Sequence, residues 1–337
     1  MILKYIKHKL SPYEALPLEK NNQKHSNKKK TQLEFSSFGK SNSNKIFYVI
    51  KRSPGAGLFS NFIYVLNHLK IASSNNFIPI VDMENFITIY NEKLRINKTF
   101  NAWNYYFETK IKINLSKVYN SKKIIFSTNK YSSDFKHNID NKEFRNLFNK
   151  WFKIKKIFLL EADKFYQKFF YNQKTLAIHY RGTSYKTSAN HPFPATFKQV
   201  DLYIKKLLIK GNYTKIFLCT EDLKFLNFIK KKYGNLIVYK DSYRSFKDDA
   251  FKIYPRKSHR YQLGKEILLE SLIISKCDAF LHATTNVSEF VKFLDKKKQI
   301  KYFKLDNGLN SSNEYVAKWL WYYKSLMPTS LGGFKIK

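Results

Sequence analysis

The chain is predicted to be an α/β protein built on parallel sheets, because short apolar runs of strand length alternate with helical segments. Between residues 45 and 82 the pattern is strand, glycine-containing turn, helix and strand, which is typical of a βαβ unit. After residue 171 further strand-like runs alternate with helices, which predicts a doubly wound sheet. Those runs lie near Leu176, Ile216, Ile237 and Phe280. A chain of 337 residues exceeds the usual size of one domain, so we expect two.

The first part of the chain divides into a tail and a domain. Residues 1–44 are polar, basic and poor in apolar residues, which predicts a mobile basic tail whose first ten residues either fray or form a short membrane-touching helix. The domain 45–170 begins with the strand Ile46–Ile50, the glycine turn and the helix Asn61–Ala72. The next strand, Phe77–Val81, ends at Asp82.

Residues 83–135 are rich in aromatic and amide side chains, including Asn101-Ala-Trp-Asn-Tyr-Tyr-Phe-Glu108. Aromatic faces beside amides and carboxylates suit a sugar, whose C–H patches stack and whose hydroxyls need partners. The alternative for most of these aromatics is ordinary core packing. The side chains that we expect to contact such a sugar are Asp82, Asn85, Trp103 and Glu108.

A helical periodicity over about 142–171 predicts one long helix leading into the second domain, 171–337. That domain closes with Glu314–Leu326, which is predicted to be an amphipathic aromatic helix that packs back on the core, with membrane contact as the alternative. The two cysteines, Cys219 and Cys277, lie in apolar runs and are expected to be buried thiols.

The net charge of +37 is compatible with nucleic acid, an anionic membrane or a phosphorylated substrate as partner. A biased codon pool is the alternative, since Lys, Asn, Ile, Phe and Tyr are all abundant. Dispersed lysines favour an anionic membrane surface over a specific nucleic acid. No run of about 18 apolar residues and no signal-peptide pattern is seen, so we expect a cytoplasmic protein, peripheral at the inner face of the membrane if the charge is functional.

The segment Thr175–Phe193 carries the clearest chemistry. The buried strand Leu176–Ile178 opens at Gly182 into a run of hydroxyl residues. Ligands of α/β sheets bind outside the carboxyl ends of strands, where Arg181 falls, and a guanidinium offers a planar, always-charged fork to phosphate oxygens. The alternative is a surface loop with one solvated arginine.

Two later strand ends carry polar residues. Asp222, which follows the strand Ile216–Cys219, is a candidate ligand contact, and a helix N-cap is the equal alternative. Thr284–Ser288 precedes a helix, so its N–H groups and side chains predict a phosphate cradle, with a plain capped helix as the alternative.

The pattern His179-x-Arg181-x-Thr183 after a buried strand resembles the motif of the fucosyltransferase superfamily, which holds the α1,6-fucosyltransferases and the protein O-fucosyltransferases. Lys215–Phe225 and Glu270–Ser288 agree with it in order and spacing. Gly55–Asn61 resembles the glycine loop that opens the fold in those families. The resemblance spans roughly residues 46–294.

The resemblance implies a GT-B-like fold, with two Rossmann-like domains facing a cleft, and an inverting, metal-independent transferase that uses a GDP-sugar as donor and no cofactor. It implies that Arg181 grips the donor diphosphate, with His179 and Thr183 beside it. Further donor contacts implied by the motifs are Asp222, Glu270, Thr285, Asn286 and Ser288. Asp222 would contact guanine, whose N–H donors a carboxylate can accept. The acceptor side would include Gly55, Gly57 and Asn61, together with the four candidate sugar contacts of the first domain. No Asp-x-Asp metal motif lies near these segments, so no metal site is expected.

The chain departs from the family where the α1,6-enzymes read Arg-Arg-Thr-Asp, since it reads Arg181-Gly-Thr-Ser184. The family's catalytic acid/base residues are not clearly matched, and His191 is the local titratable candidate for a base. A route without a strong base, in which the departing phosphate takes the proton, is the alternative. The expected donor is GDP-fucose or another GDP-activated deoxy sugar or heptose, and the expected acceptor is a surface glycan or glycolipid. Rival hypotheses are a basic nucleic-acid-binding protein and a catalytically lapsed sugar-binding module.

Overall fold

Two units divide the chain in the computed structural model, which describes residues 33–52, 56–131, 136–247 and 249–335. The first unit holds the described residues up to Lys156 together with Arg256–Lys265, and the second holds the others. The division falls at Lys156, whereas the sequence placed the boundary at residue 170. The helix considered for the first ten residues lies outside the described residues.

The first unit is built on a four-stranded sheet. Its elements are β1 (Phe35–Ser36), β2 (Phe47–Ile50), α1 (Leu58–Ser74), β3 (Ile78–Val81), α2 (Trp103–Tyr106), β4 (Phe107–Thr109), α3 (Leu115–Tyr119), β5 (Ile124–Phe126), α4 (Lys142–Trp151) and β6 (Phe152–Ile154). The strand order is β1-β5-β2-β3, with β2 parallel to β3 and β5, and β1 antiparallel to β5 at the edge. β1 lies within residues 1–44, so part of the segment predicted to be a tail belongs to this sheet.

Helix α1 is the centre of an aromatic core in the first unit. It begins after Gly57, and most of its side chains are buried, so it is apolar on nearly every side. The ring of Phe62 lies 5.5 Å from that of Phe107 and 5.2 Å from that of Phe148. These contacts tie α1 to β4 and α4, and they explain why this region of the sequence is so aromatic.

The long helix predicted over 142–171 is interrupted in the structure. α4 ends at Trp151, β6 pairs antiparallel with β4, and a second helix, α5, covers Lys156–Phe170. Phe152 is buried with its ring 5.3 Å from that of Trp103. The prediction of one helix is wrong because Phe152–Ile154 pairs with a strand some 45 residues earlier, a contact that helical periodicity does not report.

The second unit is built on a five-stranded sheet. The elements of the chain after α5 are β7 (Thr175–Tyr180), α6 (Phe197–Gly211), β8 (Lys215–Thr220), α7 (Leu223–Tyr233), β9 (Ile237–Val238), α8 (His259–Ile274), β10 (Ala279–Ala283), α9 (Asn286–Leu294), β11 (Lys301–Leu305) and α10 (Glu314–Leu326). All of them belong to the second unit except the part of α8 up to Lys265. The sheet is all-parallel, with the strand order β11-β10-β7-β8-β9. The α/β class and the four strands predicted for this domain are confirmed. β11 was not predicted, because this edge strand is partly exposed and its apolar run is broken by lysines.

The core of the second unit lies on both sides of β7. Leu176 and Ile178 pack with Ile204 of α6 and Leu218 of β8. Tyr180, at the end of β7, stacks on Phe225 of α7 with 3.9 Å between the ring centroids. This packing holds the carboxyl end of β7 rigidly, so the loop that follows starts from a fixed position.

Candidate functional site

The strand order of the second unit creates a switch point between β7 and β10. β8 and β9 lie on one side of β7, and β10 and β11 lie on the other. Ligands of open parallel sheets bind outside the carboxyl ends of the strands at such a point, because the loops diverge there and leave a crevice. Arg181 follows β7 and Thr284 follows β10, so two of the segments that the sequence singled out leave adjacent strands.

Two histidines stand side by side at this switch point, since His179 on β7 pairs in register with His282 on β10. Burial, with Arg181 and His282 nearby, lowers the pKa of His179 to about 3, and burial lowers the pKa of His282 to about 4. Both rings are therefore neutral near pH 7. His282 Nδ1 donates to the carbonyl of Ala283 at 2.9 Å, whereas His179 Nδ1 is buried without a partner among the described residues. An unsatisfied buried group costs about 1–3 kcal/mol, so it needs an explanation, and functional sites commonly supply one.

The structure brings Arg181 and His191 to the same aromatic ring. The Arg181 side chain is exposed, and its guanidinium lies 4.6 Å from the centre of the Tyr185 ring. The ring of His191 lies 4.8 Å from that of Tyr185. His191 Nδ1 lies 2.8 Å from the carbonyl oxygen of Ala189. A carbonyl only accepts, so Nδ1 carries the proton and Nε2 of the neutral ring is left as an acceptor.

Glu221 fixes the backbone beside Arg181, a role that the sequence analysis missed. Its Oε1 accepts from the amides of Gly182 at 3.2 Å and Thr183 at 3.4 Å, and from Thr183 Oγ1 at 3.1 Å. Thr183 therefore donates to Glu221 in this structure. The sequence analysis expected Thr183 to lie beside the donor diphosphate. The signal was present in Thr220-Glu-Asp222, because two carboxylates end β8 next to the loop that follows β7.

Asp222, the neighbouring carboxylate, is buried and caps α7. Its Oδ1 accepts from the amide of Phe225 at 3.1 Å, and its own amide donates to Thr220 Oγ1 at 3.1 Å. The capping alternative is thus realised in the structure. Capping uses one of the two carboxylate oxygens, and the guanine contact stays a proposal.

The loop that carries Arg181 and His191 is tied to the C-terminal segment of the same unit. The amide of Asn310 donates to the carbonyl of His191 at 2.8 Å, and the amide of Phe193 donates to that of Gly308 at 2.9 Å. Trp321 Nε1 of α10 donates to the carbonyl of Pro194 at 2.8 Å. Helix α10 thereby holds the end of the loop in place.

Helix α9 starts directly after β10, and its first residues form a capping box. Thr285 Oγ1 accepts from the amide of Ser288 at 3.2 Å, and the amide of Thr285 donates to Ser288 Oγ at 3.1 Å. Both side chains are buried and engaged in the cap, whereas Asn286 is half-buried. The cap shapes the turn between β10 and α9. The first backbone amides of α9, a nine-residue helix, remain suited to bind an anion.

Glu270 on α8 is a buried carboxyl held by the loop after β9. Ser242 Oγ donates to its Oε1 at 2.8 Å, and Arg244 Nη2 lies 3.8 Å from the same oxygen. The side chain of Arg244 is itself buried and donates to the carbonyls of Ser242 and Lys240, and its Nε has no partner in the described part of the chain. Burial raises the pKa of Glu270 to about 7, against the lowering effect of Arg244. Arg244 was not predicted, because nothing in its local sequence distinguishes a buried arginine from a surface one.

We expect Glu270 to make the second unit less stable as the pH rises. Below about pH 4.5 the carboxyl is protonated in both the folded and the unfolded state. As the pH rises to about 7, the unfolded chain releases the proton more readily than the folded one, so the free energy of unfolding falls. Relative to Glu270→Gln, which keeps the shape without the charge, the free energy of unfolding of the parent should fall by on the order of 3 kcal/mol between those values. Urea unfolding of both proteins across this range measures it.

Asp163→Asn is the control for that series, because the Asp163 side chain is half exposed and pairs with Lys276 on the surface. The free energy of unfolding of this variant should change with pH as that of the parent does. Parallel curves for the parent and Glu270→Gln would show that the Glu270 carboxyl does not titrate differently in the folded state.

The glycine loop of the first unit is described only in part. Gly55, predicted to lie on the acceptor side, is outside the described residues. Gly57 is the N-cap of α1, and a side chain there would meet open space. Asn61, in the first turn of α1, is buried; its Nδ2 donates to the carbonyl of Ala56 at 3.4 Å, and its Oδ1 has no partner among the described residues.

Three predicted acceptor residues have structural partners in the first unit. Asp82 is fully buried; its Oδ1 accepts from the amide of Asn85 at 2.9 Å, and its Oδ2 accepts from Asn85 Nδ2 at 2.8 Å and from Tyr119 Oη. Asp82 and Asn85 therefore shape the turn after β3. Glu108 is half exposed and pairs across β4 and β6 with Lys153 at 3.1 Å.

Trp103, the fourth predicted acceptor residue, lines a cavity of about 340 Å³ in the first unit. Trp103 is buried against Phe107 and Phe152, and its Nε1 has no partner among the described residues. The lining combines aromatic, aliphatic, amide and hydroxyl side chains with the carboxylate of Glu84, and it includes no lysine or arginine. In a chain with 62 basic residues, that composition suits a neutral polar molecule.

Among the described residues, no three His, Cys, Asp or Glu side chains converge as a metal-binding group. No helix within the described ranges is long and apolar enough to cross a bilayer.

No family profile matches the chain, and no curated protein matches it. In fold the chain is similar to solved fucosyltransferases. NodZ alpha-1,6-fucosyltransferase soaked with GDP-fucose is 13% identical, with 74% of this chain and 93% of that chain covered and a TM-score of 0.48. POFUT1 in complex with GDP-fucose is 11% identical, with 79% and 99% covered and a TM-score of 0.44. A mutant of Arabidopsis thaliana FUT1 in complex with GDP is 10% identical, with 81% and 73% covered and a TM-score of 0.43.

Proposed function

We propose that this protein is an inverting, metal-independent glycosyltransferase that takes its sugar from a GDP-activated donor. The observation that carries the proposal is the switch point of the second unit. There the loop with Arg181 and the N-terminus of α9 leave adjacent parallel strands, which lie about 4.8 Å apart in a sheet. The motifs that resemble the fucosyltransferase superfamily fall on these same strand ends.

The leaving group of such a donor is a nucleoside diphosphate, which gains negative charge as the glycosidic bond breaks. The Arg181 guanidinium is exposed at the end of a rigid strand, and Glu221 fixes the next two residues, so little reorganisation is needed to meet that charge. The first amides of α9 add an anion-binding helix end. Both groups interact more strongly with the departing diphosphate than with the intact donor, and this difference accelerates the reaction.

The nucleotide and the sugar would be recognised at the neighbouring strand ends. We assign Asp222 to guanine, because its second carboxylate oxygen can accept from the base while the first caps α7. Glu270, held by Ser242 and Arg244, is assigned to the donor as the resemblance implies. The donor sugar is fucose or a related GDP-activated deoxy sugar or heptose.

We assign the general base to His191. Its Nδ1 is engaged by the carbonyl of Ala189, so Nε2 is the atom that can take a proton from an acceptor hydroxyl. Tyr185 holds both this ring and the Arg181 guanidinium, so base and diphosphate clamp belong to one loop.

The cavity beside Trp103 is assigned to a neutral sugar unit of the acceptor. Its volume of about 340 Å³ lies within the range of small-molecule sites. Asn104 belongs to the lining, and its side-chain amide makes no hydrogen bond within the described chain, so it can bind a sugar hydroxyl. The acceptor we propose is a surface glycan assembled on a lipid carrier or lipid core at the inner face of the cell membrane.

We expect GDP to raise the melting temperature of the protein in buffer that contains excess EDTA, whereas UDP and CMP at equal concentration do not. A ligand that binds only the folded state stabilises it by mass action, so the matching nucleotide is the one with the shift. EDTA tests the metal at the same time, because Arg181 and the α9 amides supply the neutralising groups.

Transfer from GDP-fucose and other GDP-sugars, measured in the same EDTA buffer, completes the test. A GDP shift that requires added magnesium or manganese would contradict the metal-independent site. A shift with generic RNA and none with GDP would favour the nucleic-acid hypothesis, and GDP binding without transfer or hydrolysis of any GDP-sugar would favour a lapsed sugar-binding module.

A further inference from the structure

The C-terminal helix α10 exposes an aromatic face. Tyr315, Trp319, Tyr322, Tyr323 and Leu326 follow one another at steps of three or four residues, with Tyr323 adjacent, so they lie on one side of the helix. These side chains are between 46% and 79% exposed. We call this set the aromatic face.

The opposite side of α10 is the one that packs on the second unit. Ala317 is fully buried, and Trp321 Nε1 donates to the carbonyl of Pro194. Lys186 Nζ lies 4.8 Å from the centre of the Trp321 ring. The expectation that α10 packs back on the core is therefore met by this side only, and the side with most of the aromatic surface is left uncovered.

An exposed aromatic face of this size is unusual for a protein surface, because isolated soluble chains rarely present contiguous large apolar side chains. Tyrosine and tryptophan are the residues that favour the boundary between lipid and water, where the ring is in an apolar medium and its polar atom stays wet. Lysines suit the same place, since the stem lies along the apolar layer and the ammonium reaches the headgroups. Lys318 stands beside the face, with its Nζ 5.5 Å from the Tyr315 ring.

The charge of the chain selects among the partners that an apolar face can have. With a net charge of +37, the protein repels a second copy of itself and attracts an anionic surface. An anionic bilayer combines the two properties required, because it offers negative headgroups above an apolar layer. At 13 residues α10 is about 20 Å long, too short to span a core of about 30 Å, so it would lie in the plane of the interface.

We propose that the aromatic face of α10 docks the protein on the anionic surface of a lipid bilayer. Because α10 holds Pro194 at the end of the loop that carries Arg181 and His191, docking places the end of that loop about one helix diameter from the membrane. This consequence rests on the proposed function, since it puts the transfer chemistry beside an acceptor anchored in lipid. Docking itself does not depend on it.

Vesicle co-sedimentation of the full chain tests the proposal without donor or acceptor. Vesicles of phosphatidylcholine alone are compared with vesicles containing phosphatidylglycerol, at low and high salt. We expect binding to the anionic vesicles, weakened as salt rises. The variant Tyr315→Ser, Trp319→Ser, Leu326→Ser should bind roughly ten-fold or more weakly at the same net charge, because its interfacial anchors are gone.

Ile209→Ser is the matched control, because Ile209 on α6 is 80% exposed and lies outside the aromatic face. It should bind like the parent. The melting temperatures of both variants should equal that of the parent, since all the substituted side chains are exposed. Brominated lipids should quench the tryptophan emission of the parent, and Trp319→Phe should lose most of that quenching.

Three outcomes overturn the proposal. Equal binding of the triple variant and the parent would show that charge alone attracts the protein to lipid. Absence of binding at low salt would remove the membrane as partner. A concentration-dependent dimer that the triple variant loses, with no vesicle binding, would identify a second copy as the occupant. Failure of GDP to bind leaves the vesicle result intact, so the two proposals fail separately.

Discussion

Replacing Arg181 by alanine is expected to reduce sugar transfer by on the order of 10³-fold or more while the melting temperature of the free protein stays unchanged. The side chain is exposed, and its guanidinium contacts Ser184 and Tyr185 of its own loop, so we expect its removal to leave the core intact. The loss arises because the developing charge on the diphosphate is no longer met by a fixed guanidinium. Steady-state kinetics measure the loss of transfer, and thermal unfolding with and without GDP measures the stability of the free protein and the loss of the diphosphate contact.

Arg181→Lys separates geometry from charge. An ammonium keeps the positive charge but does not form the planar two-pronged contact with phosphate oxygens, so most of the activity should be lost as well. Lys206→Ala, on the exposed side of α6, removes one positive charge elsewhere in the same unit and should retain parent activity. Near-parent turnover of Arg181→Ala would refute the diphosphate clamp.

His191→Ala is expected to lower the transfer rate by on the order of 10²–10⁴-fold, because the acceptor hydroxyl loses the group that takes its proton. The part of the pH dependence of kcat that comes from this base should be absent from the variant. The GDP-dependent thermal shift should persist, because the diphosphate is held by Arg181 and α9. A pH series of kcat for both proteins measures the effect.

His137→Ala, an exposed histidine of the first unit, is the control for that series and should keep both the rate and the profile of the parent. An unchanged rate for His191→Ala would move the chemistry to the alternative route, in which the departing phosphate accepts the proton. His191 would then be a loop residue whose ring packs on Tyr185.

Several parts of the candidate site could be predicted from the sequence because they are local. Buried runs such as Leu176–Ile178 and the polar residues that end them specify strand and loop without reference to distant residues. The position of Arg181 just beyond β7 follows from that pattern alone. The capping box of Thr285 and Ser288 likewise depends on residues three apart.

The sequence was a poorer guide to which side chain contacts which partner. Glu221 and Asp222 are neighbours in sequence, yet they have different roles. Asp222 caps α7, whereas Glu221 accepts from the amide of Gly182 in the loop after β7. The choice depends on which way each side chain leaves the end of β8, and a one-residue step reverses that direction. β6 has a different explanation: its residues continue a helical periodicity, and their pairing with β4, which is distant in the chain, makes them a strand.

What the sequence by itself determined is the α/β class, the strands of the second domain and the loop with Arg181. Only the tertiary structure decided that β7 and β10 are adjacent, that His179 stands beside His282, and that α10 leaves its aromatic face uncovered. Periodicity reports which side of an element is apolar, and the same apolar side can be covered by the core or left for a partner. Strand order and burial are set by pairings between distant segments, and no local pattern encodes them.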